Sequence, residues 1–434
     1  MFTPTGVLAR NIDPIMLMNL WGEHLSSTGQ IVIKAGIGAP SFPLHPRITR
    51  IANDYWNEIA INGNQAIGYE HPQGKKHYRS MAAEALSVWY GCDILTDHVF
   101  FTAGGASSIR IVYEAMTTLH GPHRIIMTKP YYTLYANTTH PIQYIHLMQN
   151  SGYQLTAESL EQGILDAMHA SETDGLLPRV LVLCEPNNPM GTTLSQAMLL
   201  DIKAVLERYP DLTILLDEAY VEMLENPRMH SLYALADPAL RARIILFRSG
   251  TKGLSLAGER MALLVTSEPH IKMAILSKLI EYLGHASLSS QYMYAHLLQC
   301  LIQDPTYLRE MSQYYARKLQ FSCDKLSDIG ASLPDNTYQP YGTFYVCCDL
   351  SPLLGLPISS KATQALGKTG TIASDEDIAY TLLFEDGIMI APLSYYGVFK
   401  SQGYCRITCG ESELMLAHFL DVIGERLEKA RNLG

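Results

Sequence analysis

Between residues 98 and 266 the chain alternates short apolar runs with helix-like stretches, and this alternation constrains the fold more than any other feature. The runs HVFFTA (98–103), RIIMT (124–128), RVLVLC (179–184), LTILLD (212–217), RIILFRS (243–249) and MALLVT (261–266) have the length of strands. Residues 107–119, 156–169 and 195–208 carry helical patterning between them. Several of the runs are apolar throughout rather than alternating. A strand reads that way when both of its faces are covered, as in a parallel sheet flanked by helices. Repeated βα units therefore predict an α/β domain on a mostly parallel sheet.

Beyond residue 268 the pattern changes. Segments 268–283, 290–302 and 304–327 read as helices. The final third mixes strands (343–349, 388–391, 404–409) with helices and ends in a helix over 411–431. This predicts a large domain over 61–304 and a smaller α+β domain built from 1–60 and 305–434. No internal repeat or low-complexity tract is visible, which argues against a solenoid.

Composition removes several classes of function. The chain has 32 basic and 42 acidic residues, a net charge of −10, and lacks the basic stripe of a nucleic-acid binder. A local pocket for an anion remains compatible with that charge. A hydrophobic content of 47% with 17% charged residues is that of an ordinary globular protein. No run of about 18 apolar residues predicts a membrane span. The opening MFTPTGVLARNIDPIMLMNLW is interrupted by Pro4, Gly6, Asn11, Asp13 and Pro14, so it does not read as a signal peptide. The eight cysteines form no CxxC pair, and no His-rich set accompanies them, so no metal is expected. Several lie in apolar runs, which reads as buried free thiols in a reducing, cytoplasmic setting.

Ligands of open α/β sheets collect beyond the carboxyl ends of the strands. After the first run comes Gly104-Gly105-Ala106-Ser107-Ser108 at a helix start. Its backbone N–H groups and hydroxyls suit a phosphate, or equally a tight turn with a serine cap. After the second comes Lys129-Pro130-Tyr131-Tyr132, an aromatic face for a flat ring or a packed loop. The irregular loop Glu185-Pro186-Asn187-Asn188-Pro189-Met190-Gly191 offers an Asn amide to a ligand oxygen. Asp217, which closes an apolar run before Glu218-Ala219-Tyr220, is either a helix cap or a buried carboxylate in need of a partner. The stretch SGTKGLSLAGER then places one lysine, Lys252, among small and hydroxyl residues, between Ser249 and Arg260. Together these are a phosphate cradle, an aromatic face, an amide, a carboxylate, a lysine and an arginine after the strands of one sheet. That inventory suits pyridoxal 5′-phosphate, with the lysine forming a Schiff base and the carboxylate facing the protonated pyridine nitrogen.

In their order and spacing, IGYEHPQG, TAGGASS, KPYY, EPNNPMG, DEAY, SGTKGLSLAGER and YCRIT resemble the fold-type I, aspartate-aminotransferase-like (class I/II) family of pyridoxal phosphate enzymes over nearly the whole chain. The resemblance implies a large domain with a mostly parallel, seven-stranded type of sheet, plus a smaller α+β domain. It implies catalytic roles for Lys252, Asp217 and Tyr220. Lys252 would bind the cofactor and shuttle the substrate proton, and Asp217 would hold the ring nitrogen protonated. Asn188 and Tyr220 would bond the ring phenolate oxygen, and Tyr132 would stack on the ring. Gly105, Ala106, Ser107, Ser249 and Arg260 would hold the phosphate. Tyr69 would reach the phosphate of the partner subunit, making a homodimer with shared active sites. Arg406 would grip the substrate α-carboxylate, for which its planar fork is suited. Asn188 would also face the substrate, and Gly38, in IGAPSF, would lie in the segment that closes over it.

Three positions depart from the family pattern. Met190 replaces a common threonine, Ala262 a common glycine, and Ala106 a hydroxyl residue or lysine that Ser107 compensates. The implied activity moves an amino group between an amino acid and a 2-keto acid. Two alternatives are another pyridoxal phosphate reaction, such as elimination, cyclisation or oxidation, and a non-catalytic binding protein. The presence of Lys252, Asp217 and Arg406 opposes the second. The segment EYLGHASLSSQ (281–291) lacks the arginine that dicarboxylate-specific relatives place there. Strict aspartate specificity is therefore disfavoured, leaving neutral, aromatic and basic side chains. His285, in the same segment, is a substrate contact or a helix-end histidine.

Overall fold

The computed structural model describes residues 12–433; residues 1–11, which hold the start of the N-terminal segment considered above, lie outside the described residues. The larger sheet has seven strands: β1 (Val99–Thr102), β2 (Arg124–Lys129), β3 (Ile142–His146), β4 (Pro178–Cys184), β5 (Thr213–Asp217), β6 (Ile244–Ser249) and β7 (Ala262–Val265). Their order is β1-β7-β6-β5-β4-β2-β3. Only β7 runs against its neighbours β1 and β6; the other pairings are parallel. The central strands β5 and β6 are buried at every residue, which explains their uninterrupted apolar sequence. Strand β3, at the sheet edge, has no counterpart in the sequence expectation. It is half-buried, so IQYIH mixes polar with apolar residues and does not form an apolar run.

Helices Gly105–His120, Ala157–Asp174, Gln196–Arg208, Pro269–Tyr282 and Leu288–Gln303 accompany this sheet. Their starts are written locally. Thr156 and Ser195 accept the N–H groups of Ser159 and Met198, satisfying donors that a helix start leaves open.

A second, antiparallel sheet holds β8 (Tyr345–Asp349), β9 (Ala391–Pro392) and β10 (Tyr404–Thr408), in the order β8-β10-β9. Strand β9 begins later than expected, because Ile388 instead forms a parallel bridge with Ile33. Met18 and Trp21 of the helix Pro14–Ser27 join Leu382, Phe419 and Leu420 in a core of their own around this sheet. Ile51 and Tyr55 belong to the core of the larger sheet. The 23-residue helix Thr306–Asp328, about 35 Å long, connects the two cores. Tyr307, Met311 and Tyr315 enter the first, and Leu319 and Leu326 the second. Among the described residues no helix is long and apolar enough to cross a membrane.

Candidate active site

Strands β1, β2, β4, β5 and β6 point the same way, so the loops that follow them share one edge of the sheet. This gathers the sequence-predicted residues.

Lys252 sits in the turn Gly250–Gly253, directly after β6. Ser249 Oγ caps that turn by accepting the N–H of Thr251 at 3.1 Å. The Lys252 ammonium donates to the carbonyl of Gly38. An added Cβ at Gly38 would strike the Tyr345 hydroxyl, so the N-terminal segment can lie this close to the lysine only with glycine there.

The loop after β1 has the character of an anion cradle. Gly104 has φ of 90°, and a Cβ there would lie 2.5 Å from Arg260 Nη2. The positive φ calls for glycine there. Arg260, itself left-handed at φ 55°, thus rests on the loop from 156 residues away in sequence. The helix Gly105–His120 starts with no side-chain cap, leaving its first N–H groups available. Ser107 and Ser108 both donate to the Gly104 carbonyl, at 2.9 Å each, and shape the turn. Ala106 is exposed. A backbone cradle with an arginine laid across it fits a phosphate.

Asp217 is buried at the end of β5. Tyr135 donates to its Oδ2 at 2.5 Å and the Ala219 N–H to its Oδ1 at 2.9 Å. Burial raises its pKa to about 6, outweighing the pull of those two hydrogen bonds and of the Lys252 charge. A buried carboxylate bonded only to neutral donors fits a protonated heterocyclic nitrogen.

Asn188 and Tyr220, both buried, meet: the amide nitrogen donates to the phenol oxygen at 3.3 Å. Tyr220 also shares a 3.0 Å hydrogen bond with Tyr345. The other side of the Asn188 amide accepts from Arg406 Nη1 at 2.7 Å, while Arg406 Nη2 donates to the Gly36 carbonyl at 2.8 Å. The Arg406 guanidinium is clasped between two rings, 4.1 Å from the Tyr345 centroid and 4.8 Å from that of Tyr396. Its faces are covered, so an anion must approach in the plane of the guanidinium. Its buried Nε has no hydrogen-bond partner, and neither does the buried Tyr396 hydroxyl.

Other predicted residues lie further out. Tyr132 is half-buried, edge-on to Tyr135 at 5.5 Å. Tyr69 is fully exposed and has His285 as its ring neighbour, at 6.1 Å. His285 bonds the Ala286 carbonyl through Nδ1.

Three residues of the site escape sequence reasoning. Tyr135 lies one helical turn beyond Tyr132, and that spacing was its only signal. Tyr345 and Tyr396 carry no local signal. Nor does the buried network behind the lysine, where Arg248 pairs with Glu222 at 2.5 Å and donates to Tyr90 at 2.6 Å. Tyr90 in turn donates to Glu218 at 2.5 Å. Burial raises the Glu218 carboxyl to about 7. This network ties the ends of β5 and β6 together beneath Asp217 and Lys252. Among the described residues no group of three or more metal-ligating side chains is placed to hold an ion.

Known proteins share this architecture. The aspartate aminotransferase of Rhizobium meliloti superimposes with a TM-score of 0.79 over 99% of both chains, at 21% identity. The aromatic aminotransferase of Pyrococcus horikoshii OT3 does so at 0.74 over 94% of this chain and 99% of its own, at 18% identity. The α/β fold implied by the motifs is thus the observed one. In sequence, the aspartate aminotransferase of Rhizobium meliloti (strain 1021) is 24% identical over 423 residues, 96% of this chain and 94% of its own. A probable aspartate/prephenate aminotransferase of Rickettsia felis is 22% identical over 394 residues, 90% and 87% of the two chains. Residues 30–423 match the pattern of aminotransferase class I and II. The chain belongs to that family, whose members use pyridoxal 5′-phosphate, and it is an aminotransferase.

Proposed function

We propose that this site transfers the amino group of an amino acid to a 2-keto acid, with pyridoxal 5′-phosphate held at the carboxyl edge of the larger sheet. The observation that carries the proposal is Arg406, a buried cation with an unpaired N–H beside Asn188. An unsatisfied buried donor on a cation is costly unless an anion completes it, and an α-carboxylate is such an anion.

When bound, the cofactor supplies a carbonyl that condenses with amines and a ring that withdraws electrons. Gly105, Ala106, Ser107, Ser249 and Arg260 hold its phosphate. Asp217 keeps its ring nitrogen protonated, Asn188 and Tyr220 donate to its ring oxygen, and Tyr132 covers the ring. Lys252 would hold it through its side-chain amine and, once the substrate amine has taken that place, its free amine would accept the proton from the substrate Cα. Arg406, with Asn188 beside it, orients the substrate by its carboxylate. The segment carrying Gly38 closes over the site and excludes water. Tyr69, exposed in one chain, serves the site of a second copy, so the working unit is a homodimer. We take the large domain as 61–304 and the small one as 1–60 joined to 305–434, with the helix Ile48–Asn62 and the start of Thr306–Asp328 packing on the core of the larger sheet. Eight free thiols favour a reducing, cytoplasmic setting.

The test is a half-reaction. Holoenzyme is mixed with single amino acids in the absence of any keto acid. The expected result is one equivalent of 2-keto acid per site and loss of the visible absorbance band, which a second keto acid restores. Lys252→Ala should release none while keeping its far-UV spectrum. Release of ammonia or of a cyclised product overturns transamination.

A further inference from the structure

Strand β8 begins with Tyr345, a buried residue that the reaction proposed above leaves without a task. Its place in the sheet carries it to the site. Tyr345 pairs with Thr408 of β10 in antiparallel register. Side chains two apart on a strand share a face, so Tyr345 and Arg406 stand diagonally on one face of the sheet. The centre of the Tyr345 ring accordingly lies 4.1 Å from the guanidinium. Thr343 Oγ1 accepts the Tyr345 N–H at 3.0 Å, and Gly191, at φ 73°, lies against the Tyr345 carbonyl. The backbone of Tyr345 is thus held on both sides.

The hydrogen bonds around its hydroxyl have a forced direction. A guanidinium only donates. The Asn188 atom facing Arg406 is therefore Oδ1, which turns Nδ2 toward the Tyr220 oxygen at 3.3 Å. Tyr220 and Tyr345 share one hydrogen bond, at 3.0 Å, so one of their two hydrogens is left over. Were Tyr220 the donor, that hydrogen would belong to Tyr345, whose hydroxyl abuts Gly38 and has no other partner among the described residues. With Tyr345 as the donor, the remaining hydrogen belongs to Tyr220, which faces the ring oxygen of the cofactor in the proposed reaction. Only this second arrangement satisfies both buried hydrogens when the cofactor is in place. Burial pushes the Tyr220 phenol well above its ordinary pKa, so the hydrogen is present at neutral pH.

We propose that Tyr345 is a positioning residue with two separable tasks. Its hydroxyl donates to Tyr220 and so directs the Tyr220 hydrogen at the ring oxygen. Its ring covers one face of Arg406 and keeps the fork edge-on to the substrate carboxylate. This rests on the aminotransferase reading of the same site. A hydroxyl whose oxygen accepts hydrogen bonds is the stronger donor to its own acceptor, and the attraction between ring and guanidinium is largest where water is excluded.

Two variants separate the tasks. Tyr345→Phe removes the hydroxyl and keeps the ring, and Tyr345→Leu removes both. The visible absorbance of the holoenzyme is followed as pH is varied. Calorimetry gives the Kd of hydrocinnamate and isocaproate, carboxylates with no amino group to react. In Tyr345→Phe the midpoint of the spectral titration should rise by roughly half a pH unit, because a ring oxygen with a weaker donor holds a nearby proton more tightly. Both Kd values should stay within about twofold of wild type. Tyr345→Leu should show the same rise and bind both carboxylates about tenfold more weakly. In a Tyr220→Phe background, Tyr345→Phe should add nothing to the spectral shift, since it acts through Tyr220. An unmoved midpoint in Tyr345→Phe, or a shift that adds in full to that of Tyr220→Phe, overturns the task of the hydroxyl. Unchanged Kd values in Tyr345→Leu, or equal weakening in both variants, overturns the task of the ring. Neither readout needs turnover, so the expected shifts with no keto acid released from any amino acid would overturn transamination and leave Tyr345 in its role. A protein that takes up no pyridoxal 5′-phosphate overturns both.

Discussion

The two walls of the site are held in different ways. At the sheet edge most polar groups are answered within a few residues: Ser249 by Thr251, Ser107 and Ser108 by the Gly104 carbonyl, Asp217 by the Ala219 N–H. At the wall formed by β10, Arg406 is answered by Asn188 from 218 residues away and by Gly36 from 370 away. It still keeps an unpaired N–H. The first wall is set mainly by loop chemistry, with Tyr135 and Gly38 joining it from farther along the chain. The second is assembled from distant pieces, and in the proposed reaction the substrate carboxylate completes it.

Breaking the second wall should have the largest effect. Arg406→Lys keeps the charge but loses the planar fork and the stacking between Tyr345 and Tyr396. A loss of roughly 10²- to 10³-fold in kcat/KM is expected, the cost of truncating a buried, hydrogen-bonded charge pair. Retention of cofactor on dialysis should remain near that of wild type. A loss below about tenfold would mean that this wall does not carry the carboxylate.

A smaller effect tests the first wall. In the cofactor-free protein the Asp217 carboxyl titrates at about 6, raised from 3.8 by burial. The folded state then holds this proton more tightly than the unfolded chain does. Its contribution to stability is fully present below pH 4 and is lost as the pH rises through about 6. Asp217→Asn removes the charge and with it that loss. Relative to its offset from wild type below pH 4, the melting temperature of the cofactor-free variant should rise steadily up to about pH 6, then level off. A difference independent of pH would contradict the buried, uncompensated carboxylate. With cofactor present the order should reverse at neutral pH, because only the charged side chain stabilises a protonated ring nitrogen.

The smallest change sharpens the contrast. Tyr135→Phe deletes the phenol that donates to Asp217 at 2.5 Å. It should cost about 1 kcal/mol of transition-state stabilisation and move the acid limb of the kcat/KM profile upward. The direction follows because that hydrogen bond lowers the Asp217 pKa. An unmoved limb would reduce Tyr135 to a packing residue.

How much of the site was legible follows the same divide. Gly105, Asn188, Asp217, Ser249 and Lys252 could be read because each follows an apolar run, and parallel strands deliver such loops to one edge. Arg406 was readable only through its resemblance to a family motif, since an arginine within a strand is more often a surface ion pair. Tyr396 could not be chosen over Tyr395. The turn Leu393–Tyr396 buries Tyr396 completely against Arg406, while Tyr395 bonds Glu376 instead. Strand β3 was hidden because its partly exposed residues lack a continuous apolar signal.

By itself, then, the sequence determined the α/β class and singled out the loops and the lysine that we propose seat a phosphorylated cofactor. These depend on strand patterning and on residues adjacent to strand ends, both of which are local. Only the tertiary structure decided that Gly38 meets Lys252 across 214 positions and that Gly36 meets Arg406 across 370. It also decided which tyrosines enclose the guanidinium. Such contacts depend on how two separately packed cores dock, and no local preference of the backbone encodes that.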